Sequence, residues 1–258
     1  MKPVIDNLKF IEETYDLTSM RKAPAVDTAP LRALVFDFDG LLCDTEGAQV
    51  RAAAEVFSHH NATLPIDRWT ELIGTATADD FWLPWLAEQA SSLDPEWALE
   101  QFAARNHAHV GALSLNDGVV DLLDGASANN VPIAIASSSP TSWVHPLLDR
   151  FGIRSRFDAI VCREHAPRAK PAPDLYHEAL RRLGIAREHA ASVVALEDSR
   201  NGSLAAKAAG LTCIAIPGAL TKSQDFSHVD HNVASMTRLR FSQGAALRIS
   251  RAVHHTTY

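Results

Sequence analysis

Five short apolar runs recur along the chain, and within each run apolar residues follow one another rather than alternate with polar ones. Such runs are typical of parallel strands that other elements cover on both faces. Helical stretches separate the later runs, so the order strand, helix, strand repeats. This order predicts the α/β class, with a doubly wound, Rossmann-like parallel sheet as the core. The predicted strands are residues 34–36, 131–137, 159–162, 193–196 and 213–217, and the predicted helices are 141–151, 173–184 and 202–210.

The region after the first run does not follow this alternation of strand and helix, because it contains no convincing strand. Its predicted helices are residues 48–60, 67–73, 78–89 and 94–112. Four of the five tryptophans lie here: Trp69, Trp82, Trp85 and Trp97. So large an apolar content indicates a unit with a core of its own. We therefore predict an inserted all-helical cap domain over residues 48–113, placed to cover the carboxyl end of the sheet.

The other boundaries follow from these two units. Residues 31–47 and 114–240 carry the apolar runs and are predicted to form the sheet core. Residues 1–30 are polar, with prolines near their end, and are predicted to be an N-terminal extension. Residues 241–258 are polar without a clear period, and a peripheral C-terminal tail is expected there.

Composition and charge narrow the range of partners. The formal net charge of -7 over 258 residues disfavours binding to nucleic acid or to an acidic membrane surface. The three cysteines show neither zinc spacing nor a disulfide framework, which favours a reducing compartment. With no signal peptide and no membrane-spanning run, a cytoplasmic location is expected. A self-contained cap favours a monomer.

The first strand leads into Asp37-Phe38-Asp39-Gly40, where two carboxylates are spaced two residues apart. Side chains alternate along a strand, so Asp37 and Asp39 are expected on one side of its carboxyl end, where α/β sheets bind ligands. Neighbouring carboxylates repel each other unless they share a cation or a proton. A carboxylate can also attack phosphorus. The pair predicts metal-assisted phosphoryl chemistry, with Asp37 attacking and Asp39 handling the proton; a solvated acidic turn is the alternative.

Polar residues also follow three later strands. Ser137 begins a serine-rich turn that can present a hydroxyl and N–H groups to an anion, although such turns are also common helix caps. Lys170, beside Pro171, is either a phosphate-binding charge or a surface lysine. Glu197 and Asp198 end a buried strand and suit Mg²⁺, which prefers carboxylate oxygens. Capping of the next helix by Asp198 or Ser199 is the alternative, and the two roles are compatible.

The four segments stand in a characteristic order: D-F-D-G, a helical insert, S-S-S, K-P-A-P-D, and L-E-D-S-x-x-G. This order resembles the haloacid dehalogenase superfamily of phosphohydrolases, in the branch whose helical cap follows the first motif. Within that branch the chain is most similar to the β-phosphoglucomutase-like sugar-phosphate phosphatases. The resemblance runs from about Leu34 to Ile216.

The resemblance implies roles in catalysis for four matching residues. Asp37 would be the nucleophile that becomes phospho-aspartate, and Asp39 would be the general acid and then the general base. Ser137 and Lys170 would bind the phosphoryl group that is transferred.

The resemblance also implies a Mg²⁺ cofactor. The ion would be held by the carboxylates of Asp37 and Asp198 and by the main-chain carbonyl of Asp39. Glu197 would be a direct ligand or would lie just behind the ligands.

Substrate choice is expected to depend on the cap and its hinge. The residues predicted to bind substrate are Glu46, Ser138 and Arg105. Gln49 stands where β-phosphoglucomutases have a histidine. Those mutases also carry a cap arginine for the second phosphate, and the matching residues 74–77 contain no arginine. Both departures weigh against a mutase.

Together these features predict a Mg²⁺-dependent phosphatase whose partner is a small phosphorylated metabolite, namely a sugar or polyol phosphate. Two alternatives stay open at this point. One is a hexose-phosphate mutase of the same fold, which would return an isomer instead of releasing phosphate. The other is a non-catalytic phosphate-binding protein that has kept the fold.

Overall fold

The computed structural model describes residues 31–76, 80–242 and 246–250, and the predicted N-terminal extension lies outside them. The α-helices are α1 (Thr45–His59), α2 (Ile66–Thr70), α3 (Leu83–Ala87), α4 (Pro95–Gly111), α5 (Val119–Ala128), α6 (Thr141–Arg150), α7 (Asp174–Arg182) and α8 (Arg200–Ala208). The strands are β1 (Ala33–Phe36), β2 (Ile133–Ala136), β3 (Ala159–Val161), β4 (Val193–Glu197), β5 (Thr212–Ala215), β6 (His231–Asn232), β7 (Leu239–Ser242) and β8 (Ala246–Ile249). Within the described ranges, no helix has both the length and the apolar content needed to cross a membrane.

Six parallel strands form the main sheet in the order β3-β2-β1-β4-β5-β6. Leu34 of β1 lies opposite Ile133 of β2 on one side and opposite Val194 of β4 on the other. The chain moves outwards from β1 to β3 and then returns to the far side of β1, so the strand order reverses between β1 and β4. A crevice for ligands opens at such a reversal, beyond the carboxyl ends of the strands. The predicted doubly wound parallel sheet is confirmed.

Alternate side chains of the strands fill two hydrophobic cores. Leu34 and Phe36 point to the face that α5 and α6 cover, whereas Ala33 and Val35 point to the face that α7 and α8 cover. All four side chains of β1 are fully buried. Because both faces of the sheet are covered, apolar residues are needed at every position, and the strands therefore show no alternation in the sequence.

The cap, consisting of α1 to α4 and their connections, has a separate hydrophobic core. Trp69, Trp82 and Phe57 are buried in this core. α1 and α4 pack against each other. Two cap helices are shorter than predicted, since α2 stops at Thr70 and α3 covers only Leu83–Ala87. Part of the predicted helix 78–89 falls on residues outside the described ranges.

The expected peripheral tail, residues 241–258, contains strand residues instead. β7 and β8 pair antiparallel as a hairpin, in which Phe241 lies opposite Leu247. Leu239 and Leu247 are buried in the same core as Leu34 of β1. The hairpin packs on α5, a helix that was not among those predicted. The paired strands therefore cover part of the sheet core, and residues 243–245 and 251–258 of the predicted tail lie outside the described residues.

Candidate active site

Acidic residues from two neighbouring strands meet at the reversal of strand order. β1 ends at Phe36, so Asp37 and Asp39 follow its carboxyl end, while Glu197 ends β4 and Asp198 comes next. Because β1 and β4 are adjacent, Asp37, Glu197 and Asp198 come together, with a carboxylate oxygen of each within 4.8 Å of the others. All three residues are buried. Residues from two separate sequence motifs thus form a single acidic cluster.

A buried lysine balances part of this negative charge. Lys170 lies in the loop before α7, and its Nζ donates to Asp37 Oδ1 and, at 2.7 Å, to Glu197 Oε1. The hydroxyl of Tyr176 on α7 also donates to Glu197 Oε1. The side chain of Lys170 is 1% exposed and that of Glu197 is 0% exposed. At such burial, loss of either partner would leave an uncompensated charge in the protein interior.

Burial and neighbouring charges set the pKa values in the cluster. Burial raises the pKa of Asp37 to about 7; Lys170 opposes the shift, and Glu197 and Asp39 add to it. Burial lowers the pKa of Lys170, but Asp37 and Glu197 outweigh burial and raise that pKa above its usual range. Burial and nearby acids raise the pKa of Asp198 well above its usual range. Lys170 is therefore a permanent cation, and Asp37 changes its charge near neutral pH.

Two glycines allow the backbone to approach these carboxylates. A Cβ atom on Gly40, which has a positive φ of 74°, would overlap the carboxylate of Asp198. A Cβ atom on Gly202 would overlap the carboxylate of Glu197. No side chain fits at either position, because the carboxylates of Asp198 and Glu197 occupy the space that it would need.

The acidic cluster suits a hard divalent cation. Asp198 Oδ1 is buried and has no hydrogen-bond partner among the described residues. An orphaned buried oxygen is unfavourable, and carboxylate oxygens are the ligands that Mg²⁺ prefers. Oxygens of Asp37 and Asp198 are thus suited to hold the ion. Glu197 Oε1 is engaged by Lys170 and Tyr176, whereas Glu197 Oε2, like Asp198 Oδ1, is buried without a hydrogen-bond partner among the described residues, so Glu197 also stays a candidate ligand.

Asp39 receives hydrogen bonds on both carboxylate oxygens. Thr45 Oγ1 and Trp143 Nε1 each donate to Oδ1 at 2.8 Å, and Ser139 Oγ donates to Oδ2 at 2.6 Å. The hydroxyl of Ser137 lies farther from Oδ2, at 3.4 Å. These donors come from α1, α6 and the turn after β2, so three parts of the fold fix the Asp39 carboxyl group.

The serine turn after β2 faces both the core and the cap. Ser137 is buried, and its Oγ accepts a hydrogen bond from the N–H of Ser139 at 3.0 Å. Ser138 Oγ donates to the carbonyl of Gly74 in the cap at 3.1 Å. Ser137 therefore lies beside Asp39, whereas Ser138 bridges the cap and the core.

Further hydrogen bonds hold the cap on the sheet core. Asn201 Nδ2 donates to the carbonyl of Ile73 at 2.9 Å, and Gln224 Nε2 donates to that of Thr70 at 2.7 Å. Together with the Ser138 contact, these bonds fix residues 70–74, the end of α2 and the segment after it, above the carboxyl ends of the strands. The cap is thus in place over the acidic cluster.

Glu46, in the first turn of α1, lies within electrostatic reach of the acidic cluster. Burial, with Asp39 and Asp37 adding to it, raises the pKa of Glu46 to about 8, and a hydrogen bond from Trp69 opposes the shift. Glu46 is thus near the residues with which it was predicted to act. Its binding of substrate stays a prediction.

A cavity of about 370 Å³ lies between the cap and the core. Ser139 and Trp143, two of the donors to Asp39, line it, so the cavity borders the candidate active site. Its other walls combine aromatic and polar side chains: Phe81, Phe102, Gln49, Asn106 and Arg163. Asn106 Oδ1 is buried without a hydrogen-bond partner among the described residues, so it is free to accept one from a ligand.

Arg105 does not line this cavity, contrary to its predicted role in binding substrate. Its guanidinium pairs with Glu55 of α1 at 3.2 Å and donates to Gln101 Oε1 at 2.6 Å. Successive residues of a helix point in different directions, and the next residue, Asn106, is the one that lines the cavity. The sequence pattern of α4 did not distinguish these two faces.

Sequence reasoning also missed four donors to the acids of the site, namely Thr45, Ser139, Tyr176 and Trp143. Tyr176 and Trp143 stand outside the four motifs, and each reaches an acid of the site only because α7 and α6 pack beside the sheet. The only available signal was their position within the first turn of a helix that follows a motif.

The fold and the site together define a class of proteins: doubly wound α/β proteins in which a helical cap follows the first strand and covers a cluster of carboxylates where the strand order reverses. A sequence model described as haloacid dehalogenase-like hydrolase matches residues 34–216. The match covers well over half of the chain, and the chain belongs to this hydrolase family.

Individual relatives match along most of their length. The chain is 34% identical to YhcW of Bacillus subtilis, over 82% of this chain and 95% of that protein. It is 30% identical to hexitol phosphatase B of Escherichia coli K12, over 80% and 93% of the two chains. It is similar to a solved mutant of CbbY from Rhodobacter sphaeroides in complex with xylulose-(1,5)bisphosphate, with a TM-score of 0.67, 30% identity, and coverage of 83% and 99%. The similarity therefore includes the cap as well as the sheet core.

Proposed function

We propose that this enzyme is a phosphatase that hydrolyses a small phosphomonoester, namely a sugar or polyol phosphate, through a phospho-aspartate on Asp37. One observation carries the proposal. Asp37 is buried in the acidic cluster and bound by Lys170, while Asp39 nearby is held by donors on both carboxylate oxygens. A nucleophile and an acid-base group thus occupy distinct, separately fixed environments.

In the first step of the proposed reaction, an oxygen of Asp37 attacks phosphorus. The bond between phosphorus and the ester oxygen breaks, and Asp39 gives its proton to the leaving oxygen. Lys170 and the Ser137 hydroxyl bind the phosphoryl oxygens, which lowers the repulsion between the anionic nucleophile and the anionic substrate.

In the second step a water molecule attacks the phosphorus of phospho-Asp37. Asp39 takes a proton from that water, and the bond between phosphorus and Asp37 breaks. Inorganic phosphate leaves, and both aspartates return to their starting states. The docked cap excludes bulk water, so that one positioned water reacts.

The residues present fit a Mg²⁺ ion held by Asp37 and Asp198, with the main-chain carbonyl of Asp39 as a further oxygen ligand. When bound, the ion supplies positive charge that neutralises the phosphoryl oxygens. The same two carboxylates have raised pKa values, because burial and mutual repulsion disfavour their charge. A divalent cation would relieve that repulsion.

The cavity supports a polyhydroxy substrate. Asn106 and Gln49 offer hydrogen-bonding groups, and Phe81, Phe102 and Trp143 offer apolar surface for carbon–hydrogen faces. The names of two similar proteins support the same substrate class. One is hexitol phosphatase B, and the solved CbbY mutant is in complex with xylulose-(1,5)bisphosphate. Gln49 lines the cavity at the position where a histidine is expected in a mutase.

The proposal is tested by measuring phosphate release from hexitol, hexose, pentulose and glycerol phosphates, with Mg²⁺ and with a chelator. We expect release that requires Mg²⁺ and is concentrated on a few members of the panel. Isomerisation of a sugar phosphate without phosphate release would identify a mutase instead. Phosphate binding in a calorimeter without any turnover would identify a binding protein.

Stabilisation by Mg²⁺ is expected to increase with pH. A carboxyl group whose pKa is raised by folding stabilises the fold below its unfolded pKa and loses that contribution as the pH rises through the folded value. In the presence of a chelator, the contribution of Asp37 is therefore lost as the pH rises through about 7. The ion binds the ionised carboxylate. The unfolding free energy that bound Mg²⁺ adds, ~2.7 kcal/mol at a Mg²⁺ concentration of about 100 times Kd, therefore grows over the same pH range.

Thermal unfolding with and without Mg²⁺, followed from about pH 6 to about pH 8, checks this expectation. The difference between the two melting temperatures should widen with pH in the wild type and vanish in Asp198→Asn. A difference that is constant with pH would contradict the assignment of the ion to Asp37.

A further inference from the structure

Trp143 lies where the candidate acid-base residue meets the substrate cavity. Its Nε1 donates to Asp39 Oδ1 at 2.8 Å, and the residue also lines the cavity. Trp143 belongs to the first turn of α6, where its main-chain N–H donates to the carbonyl of Pro140 at 3.0 Å. Its ring packs against the main hydrophobic core. The backbone and the core therefore fix the direction of the indole N–H.

The indole N–H differs chemically from the other donors to Asp39. The hydroxyls of Thr45 and Ser139 can turn and either donate or accept a hydrogen bond, whereas an indole N–H only donates. The oxygen of Asp39 that faces Trp143 must therefore accept in every protonation state, and the carbonyl oxygen of a carboxylic acid is a stronger acceptor than its hydroxyl oxygen. When Asp39 carries a proton, the favoured place for it is Oδ2, where the Ser139 hydroxyl, at 2.6 Å, can turn to accept.

We propose that Trp143 is a positioning residue that directs the transferable proton of Asp39 to Oδ2. This inference rests on the proposed function, in which Asp39 protonates the leaving oxygen. Oδ2 is the oxygen that faces the serine turn, next to Ser137 and Ser139. The proton passes from Oδ2 to the leaving oxygen as the phosphorus–oxygen bond breaks. Oδ1 accepts the Trp143 hydrogen bond before and after that transfer.

The position of Trp143 also links this hydrogen bond to occupation of the cavity. A substrate that fills the cavity covers the indole ring and keeps water from the bond between Trp143 and Asp39. Hydrogen bonds strengthen where water is excluded. Asp39 is thus held most firmly when a substrate is present.

The hydrogen bond itself is tested without turnover. In a nitrogen–proton correlation spectrum, the Trp143 indole signal is identified by its loss in Trp143→Phe. It is expected to lie downfield in the wild type and to shift clearly in Asp39→Asn, because the anionic acceptor is gone. A Trp143 signal that is the same in both proteins would overturn the proposal.

The effect on proton transfer is tested with two leaving groups. A nitrophenolate leaves from an aryl phosphate without a proton, whereas the alkoxide of a sugar phosphate requires one. In Trp143→Phe we expect the single-turnover rate at saturating sugar phosphate to fall roughly tenfold more than the rate at saturating aryl phosphate, since saturation removes the effect of a weakened substrate contact. Asp39→Asn should move the same ratio further in the same direction. Trp97→Phe, a matched change in the cap core, should leave it unchanged.

A purely structural role for Trp143 would lower both rates equally, and that outcome would overturn the proposal. If Trp143→Phe fails to fold, 3-benzothienylalanine at the same position keeps the ring shape and replaces the N–H group with sulfur. A wild type that hydrolyses the aryl phosphate but not the sugar phosphate overturns the inference alone. A wild type that hydrolyses neither overturns the proposed function, and the proton assignment falls with it.

Discussion

Replacing Lys170 with methionine is expected to lower the unfolding free energy of the metal-free protein by ~3–5 kcal/mol and kcat/KM by about 10²–10³-fold. The ammonium of Lys170 is buried and bonded to both Asp37 and Glu197. Methionine fills the space but leaves two carboxylates without their counter-charge. Chemical denaturation at neutral pH and steady-state kinetics measure the two effects.

Lys207→Met is the matched control for this change. Lys207 forms an ion pair with Asp230 at 2.7 Å, but its side chain is 32% exposed. Exposed pairs contribute only ~0–1 kcal/mol, so both stability and rate should stay near those of the wild type. If Lys170→Met resembled Lys207→Met in both measurements, Lys170 would have no part in holding the acidic cluster.

Replacing Asp37 with asparagine is expected to reduce turnover by at least ~10³-fold while the protein stays folded. The amide has nearly the shape of the carboxylate, but it cannot form an acyl phosphate. In Asp39→Asn, by contrast, phosphoryl transfer from an aryl phosphate should still occur and hydrolysis should be slow. Mass spectrometry of acid-quenched Asp39→Asn should then find a phosphoryl group on the peptide that contains Asp37.

Asp124→Asn is the control for the nucleophile variant. Asp124 forms a surface ion pair with Arg156, and its side chain is 64% exposed, so its loss should leave turnover unchanged. Normal turnover by Asp37→Asn, or a phosphoryl group on another residue, would rule out Asp37 as the nucleophile.

The position of the acidic cluster could be predicted because it follows from the backbone of the sheet. Residues that end adjacent parallel strands must lie close together, so Asp37 and Asp198 were expected at one edge before any packing was known. The same holds for Ser137, since β2 is the other neighbour of β1. Apolar runs without alternation were enough to locate those strands.

Contacts between elements could not be predicted in the same way. Whether Trp143 reaches Asp39, or Tyr176 reaches Glu197, depends on how α6 and α7 pack against the sheet, and no local pattern encodes that geometry. Likewise, periodicity placed Arg105 and Asn106 on a helix without showing which of them faces the cavity.

The terminal hairpin is a different case, because a signal was present. Leu239 and Phe241 alternate with polar residues, and their partners Leu247 and Ile249 do the same. Each alternating run is only four residues long, so the pattern was too short to stand out from a polar tail. Burial of Leu239 and Leu247 in the main core stabilises a pairing that the local sequence specifies only weakly.

The contacts that dock the cap have a consequence for how such an enzyme diversifies. Asn201, Gln224 and Ser138 all bind main-chain carbonyls of the cap segment, at Ile73, Thr70 and Gly74. A carbonyl is present whatever the side chain, so these docking bonds do not depend on which side chain the acceptor residue carries. None of the three acceptor residues lines the cavity, so the side chains that do line it can change during evolution while the cap stays docked above the acids.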